Sequence, residues 1–372
     1  MKSKIKAAIL GGGINSAVGE AHVSALLLSN LYEITTVFFS RDSNVNELSR
    51  DKYNLRDCYI CYNIEDLITQ KKNYDVVIVL TPTDSHFEIL MLLINQNIHI
   101  ICEKALVSAL GQAYDLKKAL TNSTSQLYVI YNYLGYSMIK ALKKIVQNGT
   151  LGEISNIQIE MPQEGFARKI NNKPISIQPW RLEDGYIPTL SLDLGVHLHI
   201  LIYYLLNIKP ISVYAIYNCN GNYKQIVSDV NALVTYENSV VCNIWFSKIA
   251  LGHLNGLKIR VFGNKASAEW VQVDPDKLYI ANCLGEKQII DKNNNIIQDL
   301  NMNHYERFKP GHPTGFVEAL SNYYIDVYNS FLGSDVENNS EVFGIKESIE
   351  GIELFHLFSD SVLQGKMIKF AE

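Results

Sequence analysis

Roughly the first 130 residues alternate between short, continuously apolar segments and segments with helical periodicity. Strands that are apolar on both faces are typical of a parallel sheet that helices cover on both sides. The apolar segments are "KIKAAIL", "EITTVFF", "NYDVVIVLTP", "IHIICEK" and "QLYVIYNYL", and the helical ones include "GEAHVSALLLSN", "SHFEILMLLINQN" and "SALGQAYDLKKAL". This alternation predicts an α/β fold that begins with a doubly wound parallel sheet.

The pattern changes after Leu134. A helical segment, "SMIKALKKIVQNG", ends at Gly149, and alternating runs with turn signals follow it: "ISNIQIEM", "ISVYAIYN", "DVNALVTYEN", "SVVCNIWFS", "GLKIRVFG" and "SAEWVQV". Such runs predict an antiparallel or mixed sheet. We therefore predict two domains, residues 1–132 and 133–372, with a late helix at "TGFVEALSNYYIDVYNSF" and polar loops at 292–303 and 333–341.

Composition excludes several classes of protein. The 372 residues carry 33 Lys and Arg against 38 Asp and Glu, a formal charge of −5, which draws the chain neither to nucleic acid nor to an anionic membrane. No apolar run approaches the ~18 residues of a membrane helix. The six cysteines are scattered, and a chain of this size needs no disulfides, so we expect a cytoplasmic protein. "CYIC" at 58–61 has redox spacing, but it lies in a strand-like stretch and indicates structural cysteines.

A glycine run follows the first apolar segment, in "AAILGGGINSAVGEAH". Gly11 and Gly13 stand between a strand and a helix, where a dinucleotide fingerprint lets the backbone approach a pyrophosphate. The third fingerprint position is Ser16, and Gly19 follows three residues later. The stretch predicts dinucleotide binding by Gly11, Gly13, Ile14, Asn15 and Ser16, with a plain tight turn as the alternative.

The end of the second strand, "VFFSRD", bears on the choice between NAD and NADP. An acidic residue at this point favours NAD, but Ser40 occupies the position and Arg41 follows it. A hydroxyl and a guanidinium suit a 2′-phosphate, so we expect NADP rather than NAD. Two alternatives stay open: Asp42 reaches a ribose hydroxyl, or Arg41 stacks on the adenine of either cofactor.

Seven stretches, taken in order, resemble the glucose–fructose oxidoreductase / inositol dehydrogenase / MocA (Gfo/Idh/MocA) family: "GGGINSAVGEAH", "VLTPTDSH", "CEKALVSA", "LYVIYNYLGYSMIKALKKIVQNGTLGEI", "PWRLEDG", "SLDLGVHLH" and "GHPTGFVEA". The resemblance covers nearly the whole chain. It implies an N-terminal Rossmann domain and a C-terminal α/β domain with a large, mostly antiparallel sheet, one face of which packs on a partner subunit. It also implies NAD(P)-dependent oxidation or reduction at a hydroxyl of a sugar, cyclitol or sugar nucleotide.

The family motifs transfer to particular residues. "CEKA" matches the Glu-Lys-Pro motif, which implies Lys104 as the catalytic lysine and Glu103 as its neighbour at the cofactor, with Ala105 in place of the proline. The stretch beside the nicotinamide implies Thr81, Pro82 and His86, and "DLGVH" implies Asp193 and His197. An aspartate that the family often has three residues after that histidine is Ile200 here, and His199 lies one position before it.

The chemistry of alcohol oxidation fits these residues. A secondary alcohol loses a hydride to the nicotinamide and a proton to a base, and histidine has a suitable pKa for that base. We assign His197 as general base, Lys104 as electrostatic and proton partner, and Asp193 as a contact to a substrate hydroxyl. The alternative, with Lys104 as the base, stays open. Asp193 and His197 are four residues apart and share one face of a helix.

Further residues are expected near the substrate. Trp180 and Arg181 precede the Asp193 motif, and the arginine either grips a phosphate or carboxylate or forms a surface ion pair. Tyr133, Tyr136 and His312 are further candidate contacts, each with a structural alternative. We expect no metal site, because no ligand cluster joins the two histidines of "HLH". His199 is expected to be structural.

Two other functions stay possible on the same residues. A nicotinamide-dependent lyase, hydrolase or epimerase would reduce and reoxidise its cofactor within one turnover. A non-catalytic cofactor sensor predicts loss of the lysine, aspartate or histidine, and all three are present. We expect a small sugar-type substrate and a homo-oligomer.

Overall fold

The computed structural model describes residues 3–294, 305, 307–333 and 341–370. The predicted polar loops at 292–303 and 333–341 lie mostly outside these residues. The chain divides into two compact units, Met1–Gly135 with Gly315–Glu350, and Tyr136–Thr314 with Gly351–Glu372. The predicted second domain contains everything after residue 132, whereas this division places 315–350 with the amino-terminal part.

A six-stranded parallel sheet forms the first unit, in the order β3-β2-β1-β4-β5-β6. Its central strands are buried on both faces, with all five residues of β4 inaccessible or nearly so. The strands are β1 (Ile5–Gly11), β2 (Tyr32–Phe38), β3 (Tyr59–Ile60), β4 (Val76–Leu80), β5 (His99–Glu103) and β6 (Leu127–Ile130). This sheet is the predicted doubly wound parallel sheet, which is confirmed.

Helices connect successive strands of this sheet, as parallel pairing requires. They are α1 (Gly19–Ser29), α2 (Ser43–Lys52), α3 (Ile64–Thr69), α4 (His86–Asn95) and α5 (Leu110–Thr121). A helix later in the chain, α8 (Phe316–Leu332), packs on α1. Local signals set several ends: Asp42 caps α2 by accepting from the Asn44 backbone N–H at 2.9 Å, and α1 ends at Asn30 in the left-handed conformation.

A nine-stranded sheet dominates the second unit, in the order β16-β15-β14-β13-β7-β12-β11-β10-β17. All its pairings are antiparallel except that of β7 with β12, so the predicted large, mostly antiparallel sheet is confirmed. The strands are β7 (Ile154–Pro162), β10 (Pro210–Asn218), β11 (Asp229–Tyr236), β12 (Val241–Ser247), β13 (Lys258–Gly263), β14 (Ala266–Val271), β15 (Lys277–Asn282), β16 (Lys287–Asp291) and β17 (Ile368–Lys369).

One face of this sheet is buried and the other is open in the single chain. Along β12, Cys242, Ile244 and Phe246 are buried while Asn243 between them is exposed, the period-2 pattern of a half-covered strand. The other elements of the second unit are α6 (Ser137–Gln147), a hairpin of β8 (Lys169–Ile170) and β9 (Lys173–Pro174), and α7 (Val196–Leu206). The last helix, α9 (Ile345–Gln364), begins in the first unit and ends in the second.

Candidate active site

The glycine turn after β1 is held in a conformation that favours glycine. Gly11 and Gly12 have φ of +84° and +74°. A Cβ atom on Gly12 would lie 2.7 Å from Leu80 Cδ1, and one on Gly11 would lie 2.8 Å from the Leu80 carbonyl carbon. The turn therefore packs directly against the end of β4, and both positions exclude side chains.

Gly19, at the start of α1, lies even closer to this turn. A Cβ atom at Gly19 would stand 1.8 Å from the Gly12 carbonyl oxygen. Close packing of the helix on the strand turn is the task of the third fingerprint glycine, so Gly19 and not Ser16 occupies that position. Ser16 instead accepts hydrogen bonds at Oγ from the backbone N–H groups of Val18 and Gly19, at 3.3 and 3.2 Å. The fingerprint spacing predicted Ser16 because Gly19 lies six residues after Gly13, three more than that spacing allows, and Gly12 falls between the two fingerprint glycines.

The turn suits a dinucleotide. In the part of the chain that the structure describes, the backbone N–H groups of Asn15 and Ala17 donate to no acceptor, beside the amino end of α1. Unpaired donors at a helix N-terminus form an anion site. Two hydrogen bonds also hold the turn in place: Ile14 N–H donates to Ser49 Oγ at 3.0 Å, and the Tyr53 hydroxyl donates to the Gly12 carbonyl at 3.0 Å. These residues fit the diphosphate of a nicotinamide dinucleotide.

The segment after β2 carries one exposed cation. Asn46 fixes this segment, because its Oδ1 accepts from the N–H groups of Phe39 and Ser40 at 2.7 and 3.0 Å. Arg41 is exposed at the tip. The strand ends at Phe38, before Ser40, and the Asp42 carboxylate is used as the cap of α2.

His86 joins the loops that follow β4 and β5. Its Nε2 lies 2.8 Å from the Thr81 carbonyl oxygen and its Nδ1 lies 2.9 Å from that of Ala105. The ring is fully buried, and burial lowers the pKa of His86 despite these two acceptors, which act in the opposite direction. His86 therefore connects the two loops through its ring nitrogens. Its contact with a cofactor stays a prediction. Pro82 precedes a short turn of 3-10 helix.

The exit of β5 carries Glu103 and then Lys104. The peptide bond between Lys104 and Ala105 is cis. The Glu103 carboxylate lies 3.0 Å from Nε2 of His22, a residue of α1, and the Glu103 side chain is 13% exposed. Glu103 thus has a partner inside the protein that no sequence motif indicates.

The second unit places Asp193 between two cations. Asp193 lies in a wide π-helical turn, Ser191–Gly195, that leads into α7, and its Oδ2 accepts hydrogen bonds from Arg181 and Lys248. The Lys248 and Asp193 side chains are 9% and 10% exposed. One of the two predicted roles of Arg181, an ion pair, is present in the structure. The ion pair is partly buried, and the Trp180 ring lies 4.4 Å from the guanidinium. Lys248 follows β12, and nothing in the sequence singled it out.

The other predicted residues of this site have varied surroundings. His197, four residues after Asp193, is 5% exposed on α7. Tyr136 is buried, with its ring 5.4 Å from that of Trp270 and its hydroxyl accepting from Gln272 Nε2 at 3.3 Å. Tyr133 is buried in a 3-10 turn of the first unit, and His312 is exposed. Among the described residues, no three His, Cys, Asp or Glu side chains are grouped closely enough to hold a metal ion. None of the helices within the described ranges is sufficiently long and apolar to span a bilayer.

Comparison with known families agrees with this geometry. Residues 5–131 match the family described as "Oxidoreductase family, NAD-binding Rossmann fold", and residues 139–269 match the GFO/IDH/MocA C-terminal domain. The chain belongs to the Gfo/Idh/MocA oxidoreductase family. Its first unit is accordingly an NAD(P)-binding domain, and the protein is an oxidoreductase.

Individual relatives are distant. The chain is 27% identical to the uncharacterized oxidoreductase YfiI of Bacillus subtilis, over 97% of this chain and 95% of that protein. It is also 27% identical to scyllo-inositol 2-dehydrogenase (NADP(+)) IolW of the same organism, over 52% and 49% of the two chains. An inositol dehydrogenase homologue from Azotobacter vinelandii, solved with NADH and myo-inositol, has the same fold, with a TM-score of 0.85 at 22% identity over 100% and 98% of the chains.

Proposed function

We propose that the protein is an NAD(P)-dependent dehydrogenase that transfers a hydride between the cofactor and a secondary hydroxyl or keto group of a sugar, cyclitol or nucleotide sugar. One observation carries the proposal. The glycine turn, Thr81 and Lys104 follow β1, β4 and β5, which are neighbours in one parallel sheet. Adjacent strands in a sheet are about 4.8 Å apart, and β5 is two strands away from β1. The turn that carries Lys104 therefore begins about 10 Å from the glycine turn, at the same carboxyl edge of the sheet.

The roles of the residues follow from their chemistry. The nicotinamide supplies the hydride acceptor when it is bound. Lys104 stabilises negative charge on the substrate oxygen as the proton leaves, and His197 accepts that proton, with Lys104 as the alternative base. Asp193 contacts a substrate hydroxyl, and the roles of Asp193 and His197 in this reaction are proposed from the family motif that contains them.

The geometry after β2 supports NADP as the preferred cofactor. Arg41 is exposed, whereas the nearest carboxylate, Asp42, is already used in capping α2. An exposed guanidinium with no competing acid favours a 2′-phosphate over a bare ribose hydroxyl. The relative IolW, which is named as an NADP-dependent enzyme, also supports this choice.

Assembly into a homo-oligomer is part of the same proposal. The open face of the nine-stranded sheet exposes Tyr214 and Ile216 on β10 and Leu233 on β11, and Tyr214 lies directly opposite Leu233. Exposed apolar patches of this kind mark association surfaces. A second copy of the chain is the proposed occupant, and light scattering on the purified protein would measure the mass of the assembly.

A substrate screen tests the proposed activity. Purified protein is mixed with inositols, free sugars, sugar phosphates or nucleotide sugars and with NAD⁺ or NADP⁺, and reduced cofactor is followed by absorbance. We expect turnover in the presence of NADP⁺, and a loss of about 100-fold or more in kcat for Lys104→Met with cofactor affinity retained. Unchanged turnover in that variant contradicts the role of Lys104, and substrate conversion without net reduced cofactor indicates a lyase, hydrolase or epimerase instead.

A further inference from the structure

His22 is a buried histidine whose two ring nitrogens both contact protein side chains. It lies on α1, three residues after Gly19, and is 2% exposed. Nε2 is 3.0 Å from Glu103 Oε1, and Nδ1 is 2.8 Å from the hydroxyl oxygen of Tyr324 on α8. One imidazole therefore connects three elements of the first unit: α1, the end of β5, and α8.

The partners determine which nitrogen carries the proton. A carboxylate accepts hydrogen bonds only, so in the neutral imidazole the tautomer that suits both neighbours carries its proton on Nε2, which faces Glu103 at 3.0 Å. The Nδ1 lone pair is then free to accept the hydroxyl hydrogen of Tyr324. Burial raises the pKa of Tyr324 well above its usual value and keeps that hydroxyl protonated. Tyr324 is fixed in turn, because its carbonyl accepts from the Tyr32 hydroxyl at 2.9 Å.

We propose that His22 is a positioning residue for hydride transfer, which acts by fixing Glu103 and so the turn that carries Lys104. The inference rests on the proposed function, since it assigns Lys104 to the reaction. Within the residues that the structure describes, the His22 imidazole is the one side chain in ion-pair contact with the Glu103 carboxylate, at 3.0 Å. Without the imidazole, the carboxylate loses this partner in a largely buried position, and it is free to move toward water.

The position of His22 on α1 gives its contact with Glu103 a second consequence. The first residue of α1 packs against the Gly12 carbonyl, so the same short helix shapes the dinucleotide turn and supports the lysine turn. A rigid link between the two fixes the distance from the cofactor site to Lys104. Misplacement of a reacting group by about 1 Å costs on the order of 100-fold in rate.

Two substitutions separate positioning from mere packing. In His22→Gln the amide nitrogen reaches about as far as Nε2 and keeps a polar contact with Glu103, whereas in His22→Asn the shorter amide lies near Nδ1 and meets only Tyr324. We expect kcat to fall about 10- to 100-fold in His22→Asn but less than threefold in His22→Gln, with the Kd of NADPH changing less than threefold in both. His99→Asn, at the opposite end of β5, is the matched control and should keep the wild-type kcat.

Melting temperatures and NMR complete the test. The positioning role is overturned if kcat falls equally in the Asn and Gln variants and in step with Tm. It is also overturned if His22→Asn is folded and its kcat does not fall. The ¹⁵N shifts of the His22 ring in the unliganded wild type should show Nε2 protonated and Nδ1 unprotonated, and should change in Glu103→Gln. The opposite tautomer overturns the inference even if no substrate is found. If the wild-type protein turns over none of the polyols, that result counts against the proposed function alone.

Discussion

Replacement of Gly19 by alanine tests the link between the glycine turn and α1. The new Cβ atom would lie 1.8, 2.5 and 2.9 Å from the O, C and Cα atoms of Gly12, while ordinary contacts begin near 3.4 Å. All three obstructing atoms belong to the backbone, so no change of rotamer relieves them. The start of α1 must therefore move away from the turn by about 1.6 Å, the difference between 3.4 and 1.8 Å.

The displacement has a cost in stability and a cost in binding. Overpacking in a rigid site costs about 1–3 kcal/mol, and a backbone obstruction belongs at the upper end. About 3 kcal/mol corresponds to a fall in Tm of roughly 6–12 °C for a unit of this size. The shift also moves donors of the anion site beyond hydrogen-bond distance, and the loss of one bond to a charged group, about 1.5–3 kcal/mol, weakens NADPH binding roughly 10- to 100-fold.

Gly111→Ala is the matched control for this prediction. Gly111 lies within α5 of the same unit, and a Cβ atom there would have no neighbour within 4 Å. Alanine at an open helical position should stabilise the protein by about 0.5–1 kcal/mol and leave the Kd of NADPH unchanged. Thermal denaturation and fluorescence titration measure both quantities. A Gly19→Ala protein with the Tm and the Kd of the wild type would refute the reasoning.

Three other substitutions or modifications give distinct outcomes. Arg41→Ala should lower kcat/KM for NADP⁺ about 10-fold, less at high salt because the side chain is exposed, and leave that for NAD⁺ unchanged. Lys248→Met removes a cation that contacts Asp193 and should raise the KM of the polyol about 10-fold or more, with NADPH binding retained. Burial raises the pKa of Cys58 to about 11, so its thiolate fraction at pH 8 is about 10⁻³ and iodoacetamide should label exposed Cys219 first, with labelling of Cys58 accelerating as pH rises.

Controls and contrary results are available for each. Arg56→Ala, on an exposed residue beyond α2, should not change the cofactor ratio, and equal losses with both cofactors in Arg41→Ala would contradict the 2′-phosphate contact. Lys265→Met, on an exposed lysine, should leave the polyol KM unchanged, and a wild-type KM in Lys248→Met would show that Asp193 does not need Lys248. Peptide mapping that finds Cys58 alkylated at pH 8 as fast as Cys219 would contradict the effect of burial on its pKa.

The parts of the structure that depend on local pattern were predictable from the sequence. Strands apolar on both faces can be covered only by helices, so the alternation before residue 130 determines a parallel sheet. The alternating runs after it determine a half-covered antiparallel sheet in the same way. The glycine turn was predictable because strand, glycines and helix are consecutive in the chain. The division of the chain into two units was harder to predict from the sequence, because the return of 315–350 to the first unit depends on packing between distant segments.

The contacts that Lys248 and His22 make in the candidate site were not predictable, because each joins residues far apart in the chain. Lys248 lies 55 residues after Asp193, and His22 lies 81 residues before Glu103. No periodicity or spacing connects such pairs, and a single lysine among many carries no signal of its own. The two contacts nevertheless share a physical logic: a carboxylate next to, or within, the predicted catalytic motif is held by a donor from another element. A carboxylate in so little solvent must be paired to remain charged and in place. Sequence motifs therefore identify the carboxylates, while the groups that hold them in position emerge only from the fold.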